Sequence, residues 1–291
     1  MLKELAILVH DQVYKRFINY KTTLFLCGAG KKTNNKDTVR ELISNGLTAP
    51  WYSAHYDVFY PEDLFDDLLY GPTHQDLITL ENILAESVDA VVLIVESYGA
   101  VAELGSFASN PNLRKKLICV VNTKFKKDKS FINYGPLRLI RDTHEGLIIY
   151  IDYDNVSEHI DDIRWAISKI RRGVKKSVDV TNVVQAHHYI LPCIYLLEPV
   201  ARNTLVELVH HASGKDLQVS SALTSGALSI LNKNRQVALT PDGYRLTEAG
   251  MNRFSKLGKR GRTKHTFNLS ALDRMRIAVL NWSLRGKRLQ F

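Results

Sequence analysis

The stretch "ESYGAVAELGSFAS", residues 96–109, opens on one acid, Glu96, and carries a second, Glu103, well inside it. Glu103 lies among small residues, after the apolar run "AVVLIV" and before a helix-like segment. Gly99, Ala100 and Ala102 leave room for backbone or substrate to come close. If the helix starts near Gly99 or Ala100, Glu103 lies in its first turn, where the helix dipole favours the ionised carboxylate and lowers its pKa. Such a carboxylate beside a sugar can attack an anomeric carbon through an oxocarbenium-like transition state. By spacing alone, a capping acid is the simpler reading.

Other suitable residue types sit at comparable places. Cys27, Gly28 and Gly30 close the run "TTLFLCGAG", where backbone N–H groups could meet phosphate or ribose. Tyr60, Glu62 and Asp63 follow "YDVFYP", and an aromatic ring there could stack on a base. Ser97 and Gly99 flank the approach to Glu103. Asn133 and Tyr134 lie in "FINYGP", a Gly/Pro turn that could form a lid. For each of these, a plain turn or core role is equally open.

These places make sense only if the elements between them bring them together. "TTLFLCGAG", "YDVFYP", "DAVVLIVES", "KKLICVVN" and "EGLIIYIDY" read as strands. "KDTVRELISNGL", with Gly46 as its stop, "LITLENILAESV" and "VAELGSFASN" read as helices between them. Strands alternating with helices predict an α/β domain with a parallel sheet. Ligands of such sheets bind beyond the carboxyl ends of the strands. The expected cleft therefore gathers "CGAGKK", "YPEDLF" and "ESYGAVAELG".

The rest of the chain has another character. "SEHIDDIRWAISKIRRGVKK" is amphipathic, with Ile160, Ile163, Ala166, Ile167 and Ile170 on one side, and reads as a connector. "ARNTLVELVHHAS" and "SSALTSGALSILNKN" read as helices. "RQVALTPDGYRLTEAGMNRF" reads as two strands around a Pro-Asp-Gly turn, running into a helix. Helices followed by a hairpin give the plan of a winged helix-turn-helix. The expected division is 1–155 for the sheet domain, 156–180 for the connector and 181–291 for the winged-helix domain with a basic tail.

Charge supports this division. The chain of 291 residues has a formal net charge of +9, yet residues 251–291 hold eleven lysines and arginines against one acid. All of the excess is therefore in the last segment. A localised basic surface is the footprint expected of nucleic-acid binding. Lys256, Lys259, Arg260, Arg262, Lys264, Arg274 and Arg276 are its candidate contacts; a solvated basic tail is the alternative. The three cysteines are far apart and form no zinc-like spacing with histidine, so no metal is expected and a reduced, cytoplasmic setting is. No apolar run is long enough for a signal peptide or a membrane span.

The strings "FYPEDLFDDLL", "LENILAE", "AELGSF", "NLRKKLICV", "KSFINYGPLRLI", "ILPCIYLLEP" and "DGYRLTEAG" resemble the nucleoside deoxyribosyltransferase-like effectors of bacterial retrons, over nearly the whole chain. The resemblance implies a flavodoxin-like transferase domain joined to a winged-helix DNA-binding domain. It makes Glu103, in Glu103-Leu104-Gly105, the nucleophile, and Glu81 the acid that assists the leaving base. It also exposes a departure: Ser97, beside Glu96, stands where such transferases carry an aspartate. This puts ordinary base exchange in doubt and leaves room for a sugar with a 2′-hydroxyl. The implied activity is that of a toxin N-glycosidase with NAD⁺ as favoured substrate and no cofactor. Action on deoxynucleosides or nucleotides, or non-catalytic nucleotide sensing by a DNA-binding protein, are the alternatives. The implied partners are the retron reverse transcriptase and msDNA, the multicopy single-stranded DNA with its RNA, in a higher-order assembly without a membrane.

Overall fold

The computed structural model describes residues 2–15, 22–30, 37–52, 55–62, 85, 87–173, 179–252 and 269–285. They fall into two units, one formed by residues between 22 and 173, the other by 2–15 with the residues from 179 onward. The chain starts in the second unit, with α1 (Leu2–Leu8) and a π-helical turn over Val9–Tyr14.

The first unit is a five-stranded, all-parallel sheet. Its strands are β1 (Thr22–Cys27), β2 (Tyr56–Phe59), β3 (Ala90–Ile94), β4 (Leu117–Asn122) and β5 (Leu147–Ile151). Their order, β2-β1-β3-β4-β5, is compatible with a flavodoxin-like domain. Every residue of β1, β3 and β4 is buried, which is why these strands read as unbroken apolar runs. The edge strand β2 alternates between half-buried and buried.

Helices cover both faces. On one face, α2 (Val39–Thr48) and α7 (Ile160–Gly173) bury Ile43, Leu47, Ile163 and Ile167 against Leu24, Leu26, Val92, Ile94, Ile118 and Val120. Between these helices in the chain come α3 (Tyr98–Ser109), α4 (Pro111–Arg114), α5 (Phe131–Tyr134) and α6 (Pro136–Thr143). Of these, α3 packs on β3, β4 and α6. Side chains alternate along a strand, so Cys27 points away from the face that takes Leu24 and Leu26. The opposite end of the sheet is fixed by Asp89, whose Oδ2 accepts from the Thr23 N–H at 2.8 Å and the Thr23 hydroxyl at 3.0 Å.

Two expectations change here. The apolar side of residues 160–170 is sealed on the sheet, so α7 belongs to the sheet unit and is no connector. Gly46 does not stop α2, which runs on to Thr48. A Cβ at Gly46 would come within 2.7 Å of Ile160 Cδ1, so the glycine permits a close approach.

The second unit is built on α8 (Val183–Leu197), buried over Val183–Leu196. Around it lie α9 (Arg202–Ser213), α10 (Leu217–Lys233) and α11 (Leu269–Arg285). The α1 helix packs on α9. The Tyr189 hydroxyl on α8 donates to Ala6 O at 3.1 Å, tying the first helix into this unit. Residues 2–15 therefore part company with the 1–155 domain expected from sequence. After α10 come β6 (Val237–Thr240) and β7 (Gly243–Leu246), an antiparallel hairpin bridged to Val200 through Tyr244.

Candidate functional site

The strand order reverses direction between β1 and β3, and Cys27 ends β1 there. Three residues after β3, Ser97 caps α3: its Oγ accepts the Ala100 N–H at 3.2 Å. Helical residues thus begin at Tyr98, which puts Glu103 in the second turn of α3 rather than the first. The expected effect of the helix dipole falls away with that shift.

The environment of Glu103 has the opposite sign. It is half-buried, and burial is the largest influence on it, pushing its carboxyl up from the ordinary value. A hydrogen bond with Cys27 and the positive charge of Arg40 pull the other way, while Glu62 adds to the rise. Its Oε2 is buried and has no hydrogen-bond partner among the described residues. An unpartnered buried carboxylate oxygen is costly in a folded protein.

The neighbours come from the other elements of this edge. Arg40, on α2, gives Nη1 to Glu62 Oε2 at 3.0 Å and Nη2 to Glu62 Oε1. Its guanidinium lies 5.1 Å from the Tyr60 ring centre, and the Tyr60 hydroxyl is 2.5 Å from Ser44 Oγ. Glu96 turns back over β1, with Oε1 accepting the Ala29 N–H at 3.3 Å. The Tyr153 hydroxyl donates to Val120 O at 2.8 Å, bracing the same edge beneath Glu96.

Several expected site residues have partners within the protein. Cys27 is fully buried and meets Glu103 instead of offering a surface to substrate. The Ala29 N–H, between Gly28 and Gly30, donates to Glu96 Oε1. Gly28 has φ +152°, and a Cβ there would lie 3.1 Å from Ile94 Cβ, so this turn requires glycine; a Cβ at Gly30 would lie 3.5 Å from Arg40 Nη2. Gly99 is exposed beside Tyr98, which is 99% exposed. Asn133 uses its amide for Phe125 O and Asp128 O, both at 2.8 Å, so it braces its own loop; Tyr134 is exposed. Glu81 and Asp63 lie outside the described residues.

Sequence reasoning missed Arg40. The signal was present: Arg40, Ile43, Ser44 and Leu47 form one buried helical stripe, and a charge within such a stripe needs a partner. A cavity of about 620 Å³ lies at the other end of the sheet, lined in part by Lys115, Lys116, Glu145 and Lys169, away from this site.

Of the basic candidates at the C-terminus, Lys256, Lys259, Arg260, Arg262 and Lys264 lie outside the described residues. Arg274 is exposed. Arg276 is engaged: its Nη2 donates to Glu198 Oε1 at 2.9 Å, and it lies 4.9 Å from the Tyr195 ring centre. Glu198 Oε2 in turn accepts the Leu246 N–H at 2.7 Å. Arg276, expected as a phosphate contact, is thus tied through Glu198 to the hairpin.

Residues 36–238 match the family model described as the STM3845 retron effector protein. The chain belongs to this family of retron effectors. Its relatives include the "Retron Ec86 putative ribosyltransferase/DNA-binding protein" of Escherichia coli, 37% identical over 94% of this chain and 89% of that protein. The corresponding Ec73 protein of Escherichia coli is 27% identical over 68% of this chain and 69% of its own length. In this retron effector, no helix among the described residues is long and apolar enough to cross a membrane. Nor do the described residues gather three or more His, Cys, Asp or Glu side chains suited to a metal ion.

Proposed function

We propose that this retron effector is an N-glycosidase that acts as a toxin in phage defence, with Glu103 as nucleophile. The observation that carries this reading is the half-buried Glu103 carboxyl, with one oxygen unpartnered among the described residues, where the strand order reverses. Its relatives' names, which include the word ribosyltransferase, agree with ribosyl transfer chemistry.

In the proposed reaction a Glu103 oxygen bonds to C1′ of the ribosyl group as the C1′–N bond breaks. The bond's electron pair leaves with the base. Water then displaces Glu103 from C1′ and releases a proton. With NAD⁺, the electron pair neutralises the pyridinium nitrogen and nicotinamide departs uncharged, so little acid assistance is needed. Glu81 is the proposed acid for bases that leave less readily. NAD⁺ is the favoured substrate because nicotinamide leaves readily, which suits an acid set in which Ser97 stands where such transferases carry an aspartate.

The second unit is proposed to be a winged helix that associates with msDNA and the retron reverse transcriptase. The arrangement of α8, α9 and α10 followed by a hairpin supports this, as does the basic segment after residue 251. Restraint of the toxin would then come from assembly with that complex.

The test is product analysis by mass spectrometry with NAD⁺ and a panel of nucleosides and deoxynucleosides. Wild type should release nicotinamide and ADP-ribose, and Glu103→Gln should not. Release of a base from a deoxynucleoside alone would replace NAD⁺ by the runner-up substrate class. Equal turnover by Glu103→Gln would remove Glu103 from the chemistry.

A further inference from the structure

The Arg40–Glu62 pair is asymmetric. The Arg40 side chain is only 8% exposed, whereas that of Glu62 is 51% exposed. An arginine stays charged at any accessible pH and, once buried, must keep an anion. Arg40 is also held from behind. The first turn of α2 is locked by a capping box between Thr38 and Glu41, and the Tyr60 ring under the guanidinium is anchored to Ser44. A Cβ built on Gly30 would lie 3.5 Å from its Nη2, and its charge is felt at both Cys27 and Glu103. A guanidinium thus sits near both the turn after β1 and Glu103, and its only described anionic hydrogen-bond partner is a carboxylate that half faces water.

Carboxylate and phosphate both offer two oxygens to the guanidinium fork. Glu62 can move into solvent with little loss because half of it is already there, whereas Arg40 cannot leave. We propose that the Arg40–Glu62 pair is a substrate-displaceable anion site, in which a phosphate of the substrate takes the two Nη donors and Glu62 swings out. This rests on the reading of Glu103 as a glycosidase nucleophile and deepens it: the substrate is a phosphorylated nucleotide, not a nucleoside. Arg40 is the specificity-determining residue. Glu62, a candidate substrate ligand by sequence, is the anion that keeps Arg40 satisfied until the phosphate displaces it. No covalent bond changes, and one anion replaces another at Arg40.

The test uses the full-length Glu103→Gln protein, so that ligands bind without turnover. Calorimetry compares nicotinamide mononucleotide with nicotinamide riboside, and AMP with adenosine; each pair differs by one phosphate. The phosphorylated member of at least one pair should bind tenfold tighter or more. Adding Arg40→Lys should shrink that ratio several-fold with nucleoside binding unchanged. Adding Glu62→Gln, which removes the competing charge from an exposed position and spares the fold, should tighten only the phosphorylated ligand, by about threefold or more.

Four results would overturn the proposal: equal affinity within both pairs, no binding of either pair at millimolar concentration, an unchanged ratio in Glu62→Gln, or a fall in phosphate affinity in that variant. An unchanged ratio with a lowered melting temperature would make the pair a clamp between α2 and the segment after β2. The outcome is separable from the catalytic reading. If Glu103→Gln still cleaved NAD⁺, the nucleophile would be wrong, while the phosphate comparison would still decide the role of Arg40.

Discussion

Cys27 and Glu103 meet across the carboxyl edge of the sheet, the thiol from the end of β1 and the carboxyl from the second turn of α3. The contact opposes a larger effect, because burial holds the Glu103 carboxyl above its ordinary value. If Glu103 must be ionised to attack C1′, turnover falls as pH drops through that raised pKa. The acid limb of kcat/KM should therefore lie above the range of an exposed carboxylate. Cys27→Ala removes an interaction that favours the ionised form and should move the limb to still higher pH. A limb unmoved by Cys27→Ala would mean that another group controls it.

The same raised pKa has a consequence for stability. The folded state holds the Glu103 proton more tightly than the unfolded chain does. Ionisation of Glu103 therefore opposes folding, fully above the folded pKa and not at all below the unfolded one. Glu103→Gln should melt at a higher temperature than wild type at neutral pH, with the gain shrinking as pH falls toward the ordinary carboxylate value. Calorimetric melting across that range checks the sign.

Ser97 has a structural duty that any substrate role must share. Its oxygen caps α3 through the Ala100 N–H. Ser97→Ala should cost about 1 kcal/mol of stability, while Ser97→Asp, also a good cap, should cost little. Denaturant titration of the three proteins separates the cap from any effect on substrate choice.

Two glycines inside helices should respond in opposite ways to alanine. At Gly105 a new Cβ meets no described atom within 4 Å, so Gly105→Ala should stabilise α3 by up to about 1 kcal/mol. At Gly46 the Ile160 side chain stands 2.7 to 3.0 Å from that Cβ position, and Gly46→Ala should cost about 1–3 kcal/mol. Urea midpoints of the two variants test the pair directly.

In the second unit, Arg276→Ala leaves Glu198, 13% exposed, without its cation and weakens the hold on Leu246. It should destabilise the protein by about 1.5–3 kcal/mol. Arg274→Ala, at an exposed position, should leave the melting temperature nearly unchanged.

Much of this was legible in the residues, for identifiable reasons. Strands buried on both faces leave continuous apolar runs, so β1, β3 and β4 stood out at once. Spacing alone leaves Glu103 a capping acid; its candidacy comes from the resemblance, together with its place where β3 gives way to a helix. Its turn was misplaced because Gly99 and Ala100 drew attention from Ser97, a better cap than either. Arg40 went unseen because one charge in a short amphipathic helix looks like surface until the stripe it shares with Ile43 and Leu47 is followed. The docking of α1 with helices nearly two hundred residues later leaves no local trace, since its partner Tyr189 is distant in sequence.

The central claim is that Glu103 becomes covalently attached to a ribosyl group. The direct measurement is peptide mapping by mass spectrometry after the protein is mixed with NAD⁺ and quenched in acid within milliseconds. The account predicts an ADP-ribosyl adduct on the peptide bearing Glu103, absent from Glu103→Gln and disappearing as nicotinamide release reaches completion. Steady nicotinamide release by Glu103→Gln, or an adduct on a different residue that forms and decays at the turnover rate, would contradict it.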